Sequence, residues 1–185
     1  MKIVVCIKQV PDTTEVKLDP KTGTLIRDGI PSIINPDDKG GLEYALQLKE
    51  QYGAEVTVIT MGPPQAEAVL REAFAMGADR AILLTSRKFA GADTLATSNA
   101  LAGALRVLDY DLILAGRQAI DGDTAQVGPQ IAEHLGIAQV SYLEDLEFDG
   151  KKTFRIKKQL EDGYQIVEVE SPCLLTCLAS VQMQD

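Results

Sequence analysis

Four short runs dominate the pattern of this chain: "KIVVCIK" (2–8), "EVTVIT" (55–60), "RAILLT" (80–85) and "DLILAG" (111–116). Each is apolar almost without a break. A strand with one wet face alternates apolar and polar residues. A strand covered on both faces of a parallel sheet does not. Between these runs lie segments of helical periodicity. Asn35 and Pro36 read as an N-cap followed by proline at the first helical position, opening a helix through about Tyr52. A second helix, about 63–76, carries Ala66, Val69, Leu70, Ala73 and Phe74 at helical spacing, and Gly77 ends it. Further helices are expected over 93–108 and about 123–135, with a strand at "AQVSYL" (138–143). Strands alternating with helices imply an α/β fold: a parallel sheet with helices on both faces and right-handed crossovers.

Two stretches break that rhythm. "EVKLDPKTGTLIRDG" (15–29) alternates on both sides of a Pro-Lys-Thr-Gly turn and reads as a hairpin. After residue 144, Asp-Gly turns at 149–150 and 162–163 separate alternating runs, so 144–185 reads as a small antiparallel β meander. The expected organisation is an α/β core over 1–143 and, over 144–185, an antiparallel extension of the same domain.

Composition narrows the function classes. The 185 residues carry a formal net charge of −9, with 5% aromatics and no Trp. A nucleic acid or an anionic membrane surface would be repelled, and a base-stacking platform lacks its rings. No stretch approaches the roughly 18 apolar residues that a membrane span needs. The N-terminus lacks the long apolar region and cleavage site of a secretion signal. Three cysteines argue for a reducing compartment, so a cytoplasmic location is expected. Cys173 and Cys177, four apart on a strand, would lie about 13 Å apart, too far for a disulfide or a shared metal. They read as core. One histidine, His134, and no Cys-x-x-Cys argue against zinc, and no metal site is expected.

In open parallel sheets ligands bind beyond the carboxyl ends of the strands. Four loops answer to that position: "QVPDT" (9–13), "TMGPPQ" (60–65), "SRKFAGADT" (86–94) and "GRQAIDGDTAQVG" (116–128). Three run into helix N-termini, where free N–H groups and the helix dipole attract an anion. Each also reads as an ordinary turn built from Gly and Pro. In the third helix the apolar stripe Leu101, Ala104, Leu105 and Leu108 turns hydroxylic toward its start, at Thr97 and Thr94. Two hydroxyls there suit a phosphate or a polyol. They equally suit backbone carbonyls, or a cap shared with Asp93. In the fourth loop Asp123 is an N-cap candidate, Gln118 and Gln126 can bond an adenine edge or a ribose, and Arg117 can neutralise a phosphate. No nucleophile–base pair stands out, and no catalytic side chain is expected.

These motifs together carry a family resemblance that spans nearly the whole chain. "VCIKQVPD", "NPDDKGGLEYALQLKE", "TMGPPQAEAVLREAFAMGADRAILL", "GRQAIDGDTAQVG" and "IKKQLEDGYQIVEVESPCLLTC" (156–177) occur in the order seen in the β subunits of electron-transfer flavoproteins. The last fits the family signature around Lys158, Glu161, Asp162, Gly163, Gln165, Pro172 and Leu174. The resemblance implies an adenine-nucleotide-hydrolase-like, Rossmann-like domain that pairs with an α subunit carrying its own flavin. It implies a crevice holding AMP in some members and FAD in others. Positions matching that crevice are Cys6, Asn35, Pro36, Asp37, Asp38 and Met61, then Gly116, Arg117, Gln118, Ala119, Ile120, Asp121, Gly122, Asp123, Thr124, Ala125, Gln126 and Val127. "FAGADTLATSNAL" (89–101) is similar to the version in electron-bifurcating members, and Asp93, Thr94 and Thr97 lie where a flavin dinucleotide would extend. FAD is therefore favoured over AMP. The resemblance then implies NADH as donor, the α-subunit flavin and an acyl-CoA dehydrogenase on one branch, and ferredoxin or flavodoxin as a low-potential acceptor on the other. Family members usually continue through an Asn-x-Pro-Arg-like segment into an arm that wraps the α subunit. "ASVQMQD" does not match that segment, so assembly with α is the expectation most exposed to the chain's extent. A nucleotide-sensing, stress-protein-like module would need a Gly-x2-Gly-x9-Gly-Ser/Thr loop, which is absent. An ATP-pyrophosphatase-like enzyme would need a Ser-Gly-Gly-x-Asp-Ser loop where "KQVPDT" stands.

Overall fold

The computed structural model describes residues 1–11, 17–18, 21, 25–26, 32–85, 94–117 and 127–179. In chain order the elements are β1 (Lys2–Cys6), β2 (Gln9–Pro11), β3 (Lys17–Leu18), β4 (Leu25–Ile26), β5 (Ser32–Ile34), α1 (Pro36–Tyr52) and β6 (Glu55–Met61). A short 3-10 turn, Pro64–Ala66, leads into α2 (Glu67–Met76), followed by β7 (Arg80–Leu84), α3 (Thr94–Leu105), β8 (Leu112–Gly116) and α4 (Val127–Leu135). The chain then runs through β9 (Ala138–Phe148), β10 (Thr153–Leu160), β11 (Gly163–Glu170) and β12 (Cys173–Cys177).

One sheet of eight strands organises the molecule, in the order β11-β10-β9-β12-β8-β1-β6-β7. From β12 to β7 all neighbours are parallel, as the unbroken apolar runs require. Helices α1 and α2 cover one face, through Leu42, Ala45, Leu48, Val69, Leu70 and Ala73. Helices α3 and α4 cover the other, through Leu101, Leu105, Ile131 and Ala132. From β1 the chain steps outward to β6 and β7, then returns across the sheet to β8 on the other side of β1. The winding direction therefore reverses between β1 and β8, which opens a crevice at their carboxyl ends.

The expected hairpin is present as β3 paired antiparallel with β4. The 149–150 turn is tied by Asp149, whose Oδ1 accepts from the amides of Lys151, Lys152 and Thr153 at 2.7, 2.9 and 3.1 Å. β9, β10 and β11 form the expected antiparallel meander, continuous with the main sheet. Phe148 stacks on Phe154 at 4.6 Å and meets Tyr52 edge-on at 5.1 Å, which anchors the meander to the end of α1.

Three sequence expectations need correction. β12 is not part of the antiparallel run: it lies parallel to both β8 and β9, inside the sheet. All five of its residues, CLLTC, are buried. Covered by α1 on one face and α4 on the other, it reads like β1 rather than like the meander before it. Second, the stretch after β1 is not simply a loop, since Gln9–Pro11 pairs with Ser32–Ile34. Third, α3 ends at Leu105 rather than at 108; the expected stripe holds, with Leu101 and Leu105 buried and Ala104 and Leu108 packed against the same core, and Ser98 and Ala102 are buried beside it. Cys173 and Cys177 are free and buried, as expected of core cysteines, and Cys6 is free and buried as well.

The Gly40–Gly41 pair explains how closely α1 sits on the sheet. A Cβ on Gly40 would overlap the carbonyl oxygen of Leu178, and one on Gly41 would sit 3.5 Å from Cys177 Sγ. Glycine lets the first turns of α1 lie directly on the end of β12.

Candidate functional site

The carboxyl ends of β1, β8 and β12 converge on the first turn of α1. Asn35 occupies the N-cap position, but its side chain makes no capping bond to the helix. It bonds to Asp38 instead. Its backbone is sewn to the end of β1: Asn35 N donates to Lys8 O at 2.8 Å. Pro36 opens the helix with an exposed ring. Asp37 and Asp38 are buried, which is unusual for carboxylates. Their oxygens account for this. Asp38 Oδ2 accepts from Lys8 N and Oδ1 from Gly116 N, both at 2.9 Å. Asp37 Oδ1 accepts from Ala179 N at 2.7 Å, and Oδ2 pairs with Arg117 Nε at 3.4 Å. Arg117 N in turn donates to Cys177 O at 2.9 Å.

Two adjacent carboxylates thus join the ends of three strands. Burial pushes the Asp38 carboxyl up to about 7, with Asp37 adding to the rise, against the opposing pull of bonds from Gly116, Lys8 and Asn35. Burial, and then the nearby Asp38, push the Cys6 thiol up to about 12. Cys6 is therefore a neutral packing group at ordinary pH and not a nucleophile.

Asp37 and Asp38 sit on α1 and fill the α1 side of the split between β1 and β8. The α3–α4 side is lined differently. Cys6 and Ala115 face it from the sheet. Val127 and Gly128 begin α4 there, and Thr97 lies half-buried on the second turn of α3. Met61 closes the end of β6 and packs against the same cluster. The structure therefore brings together Cys6, Asn35, Asp37, Asp38, Gly116, Arg117 and Val127, with Met61 and Thr97 on the same face nearby. Thr94 is the first residue of α3. Asp93 and Gln118 through Gln126 lie outside the described residues.

Three polar groups were not singled out by sequence reasoning. Ser98 is fully buried, and its Oγ donates to Gln130 Oε1 at 2.7 Å, joining α3 to α4. Its signal was available, because Ser98 precedes Leu101, Ala102 and Leu105 at core spacing. Thr176 is the one polar residue in CLLTC. It is 3% exposed, and among the described residues its hydroxyl has no hydrogen-bond partner. It stands opposite Ala115, and a Cβ on Gly128 would come within 3.2 Å of its Oγ1. Glycine at 128 lets the start of α4 pack directly over this hydroxyl.

This topology and edge define the class: a Rossmann-like α/β domain whose crevice lies at the β1–β8 reversal. The match to known proteins is narrower. The electron transfer flavoprotein domain model matches residues 22–183. The electron transfer flavoprotein subunit beta of Clostridium acetobutylicum is 64% identical over 183 residues, covering 99% of this chain and 70% of the relative. The caffeyl-CoA reductase-Etf complex subunit CarD of Acetobacterium woodii is 61% identical over 180 residues, 96% of this chain and 68% of the relative. The acryloyl-CoA reductase electron transfer subunit gamma of Anaerotignum propionicum is 53% identical over 182 residues, 96% and 67% respectively. The chain belongs to the electron transfer flavoprotein family, as a β-subunit-type member, and its role lies in flavoprotein electron transfer. Among the described residues, no helix is long and apolar enough to cross a membrane.

Proposed function

We propose that the crevice between β1 and β8 holds FAD, and that the chain passes electrons from NADH toward a flavin in a partner α subunit. Onward acceptors in this reading are an acyl-CoA dehydrogenase on one branch and a low-potential carrier such as ferredoxin or flavodoxin on the other. The single observation that supports a dinucleotide is the polarity of the α3–α4 side. Thr97 and the Ser98–Gln130 bond lie on the helix pair that flanks the crevice there, and the unpaired Thr176 hydroxyl lies on β12 beneath it. Gln130 satisfies the Ser98 hydroxyl, and the Thr97 and Thr176 hydroxyls are the ones left for a ribityl chain or a pyrophosphate.

The residues present fit such a group. Arg117, half-exposed at the end of β8, offers a guanidinium to a phosphate, and the N-terminus of α4 offers a dipole. Gly116 lets the end of β8 pack against the first turn of α1, and Gly128 lets the start of α4 pack on the sheet. Cys6 supplies a neutral apolar floor. A bound flavin supplies hydride and single-electron chemistry, and the protein's part is to orient it and exclude water. The relatives named as subunits of caffeyl-CoA and acryloyl-CoA reductase systems support acyl-CoA redox enzymes as the partner class.

AMP as a purely structural nucleotide is the second reading, since its phosphate would use the same α4 start and Arg117. Calorimetric titration of the purified chain with FAD and with AMP, followed by visible spectra, separates the two. Near-equimolar flavin binding, weakened by Thr97→Ala or Asp123→Ala, is the expected result. Tight AMP with no flavin would remove NADH oxidation from this site.

A further inference from the structure

We propose that Asp38 is the positioning residue of the crevice: its carboxylate ties Lys8 N beyond β1 to Gly116 N on β8 and so sets the width of the gap a nucleotide enters. The proposal rests on the reading that this crevice binds a nucleotide.

The geometry is specific. β1 and β8 pair from Ile3–Leu112 to Cys6–Ala115 and then part. Past that point the two amides no longer bond across the sheet. They converge on the two oxygens of one side chain, each at 2.9 Å. An ionised aspartate offers two separate acceptor oxygens on a short side chain, one for each of two amides on diverging strands. The fit is tight on the other side as well, since a Cβ on Gly116 would overlap Asp38 Oδ1 and lie 2.7 Å from Asp38 N. Glycine at 116 and aspartate at 38 therefore form one fitted pair, placed 78 residues apart in the chain.

The Asp37 contacts extend the tie to Ala179 and Arg117 but do not bridge β1 and β8. Among the described residues, the titratable groups on the Asp38 side of the sheet are Asp37 on its own helix and Cys177 from β12; Cys6 of β1 feels its charge from the other face, and Lys8 contributes its backbone amide. Arg117, beyond β8, is taken up by Asp37. The amides of Lys8 and Gly116 and the side chain of Asn35 bond to the carboxylate.

The test has two arms on the 185-residue chain. In the first, amide chemical shifts of Lys8 and Gly116 are followed by NMR between pH 5 and pH 9, without nucleotide. Both should titrate with one shared midpoint near neutrality, and Asp38→Asn should abolish both titrations. Independent or absent titration of the two amides overturns the tie. In the second, FAD and AMP affinities are measured for the wild type, Asp38→Asn, Gly116→Ala and Val58→Ala. Val58 is a buried core residue away from the crevice and serves as a control for general destabilisation. Losing one of two amide bonds at the gap should weaken nucleotide binding roughly tenfold in Asp38→Asn and in Gly116→Ala, with Val58→Ala unchanged. If Asp38→Asn binds as the Val58 control does, Asp38 is structural only and the positioning role is wrong. If the wild type binds neither nucleotide, the crevice reading fails and takes the positioning role with it. The amide titration would then still show whether the tie exists.

Discussion

Replacing Thr176 by valine should stabilise the protein in the absence of nucleotide. The side chain is 3% exposed and its hydroxyl finds no partner. A buried hydroxyl without a partner costs about 1–3 kcal/mol relative to one that is satisfied. Valine keeps the branched shape and the strand preference, and replaces the stranded oxygen with a methyl. The start of α4 packs closely over it at Gly128, so the methyl takes the place the hydroxyl already fills. For a chain of this size each kcal/mol moves the midpoint by about 2–4 °C, so Tm should rise by roughly 3 °C in calorimetry. Thr60 supplies the internal comparison. Its hydroxyl is also buried without a partner, but alternation along β6 turns it with Val58 toward the α1–α2 face. Thr60→Val should stabilise to a similar degree whether or not nucleotide is present. Thr176→Val should lose its advantage at saturating FAD, if the ligand or a water held by it satisfies the Thr176 hydroxyl. A lower Tm for Thr176→Val without nucleotide would show that the hydroxyl is already paired and would refute the reasoning.

Three further outcomes follow from the same contacts. Gly116→Ala should cost about 3 kcal/mol in urea unfolding, because the new methyl meets Asp38 Oδ1 and the backbone of α1, which cannot retreat. Ser98→Ala should cost about 1 kcal/mol by the same assay, since Gln130 Oε1 loses a 2.7 Å bond in a part-buried place. Asp38 should also leave a mark on the pH dependence of stability. Its folded value of about 7 lies above the ordinary 3.8, so between those limits the folded state holds the extra proton. Its contribution is present below about pH 4 and is lost as pH rises to about 7, with a slope of at most about 1.4 kcal/mol per pH unit. The difference between wild type and Asp38→Asn, measured by urea unfolding from pH 4 to pH 8, should fall with rising pH. A flat difference would mean that Asp38 titrates at its ordinary value.

Much of the fold was legible along the chain. "KIVVCIK", "EVTVIT", "RAILLT" and "DLILAG" are parallel strands because unbroken apolar runs must be covered on both faces, and local composition alone carries that signal. Asn35-Pro36 and Gly77 mark helix ends because capping depends on a few neighbouring dihedrals. The antiparallel meander was visible in its Asp-Gly turns. The tertiary structure decided the rest. Nothing local in CLLTC says that β12 slots between β9 and β8, since strand order depends on which surfaces remain uncovered once the earlier elements have packed. Nothing local in Asn-Pro-Asp-Asp says that the two acids would turn inward, because their partners, Lys8, Gly116, Arg117 and Ala179, come from three strand ends far apart in sequence. Short-range periodicity determines what each segment becomes. Only packing determines which backbone amides are left unpaired where β1 and β8 part, and so which side chains must bury a charge to meet them.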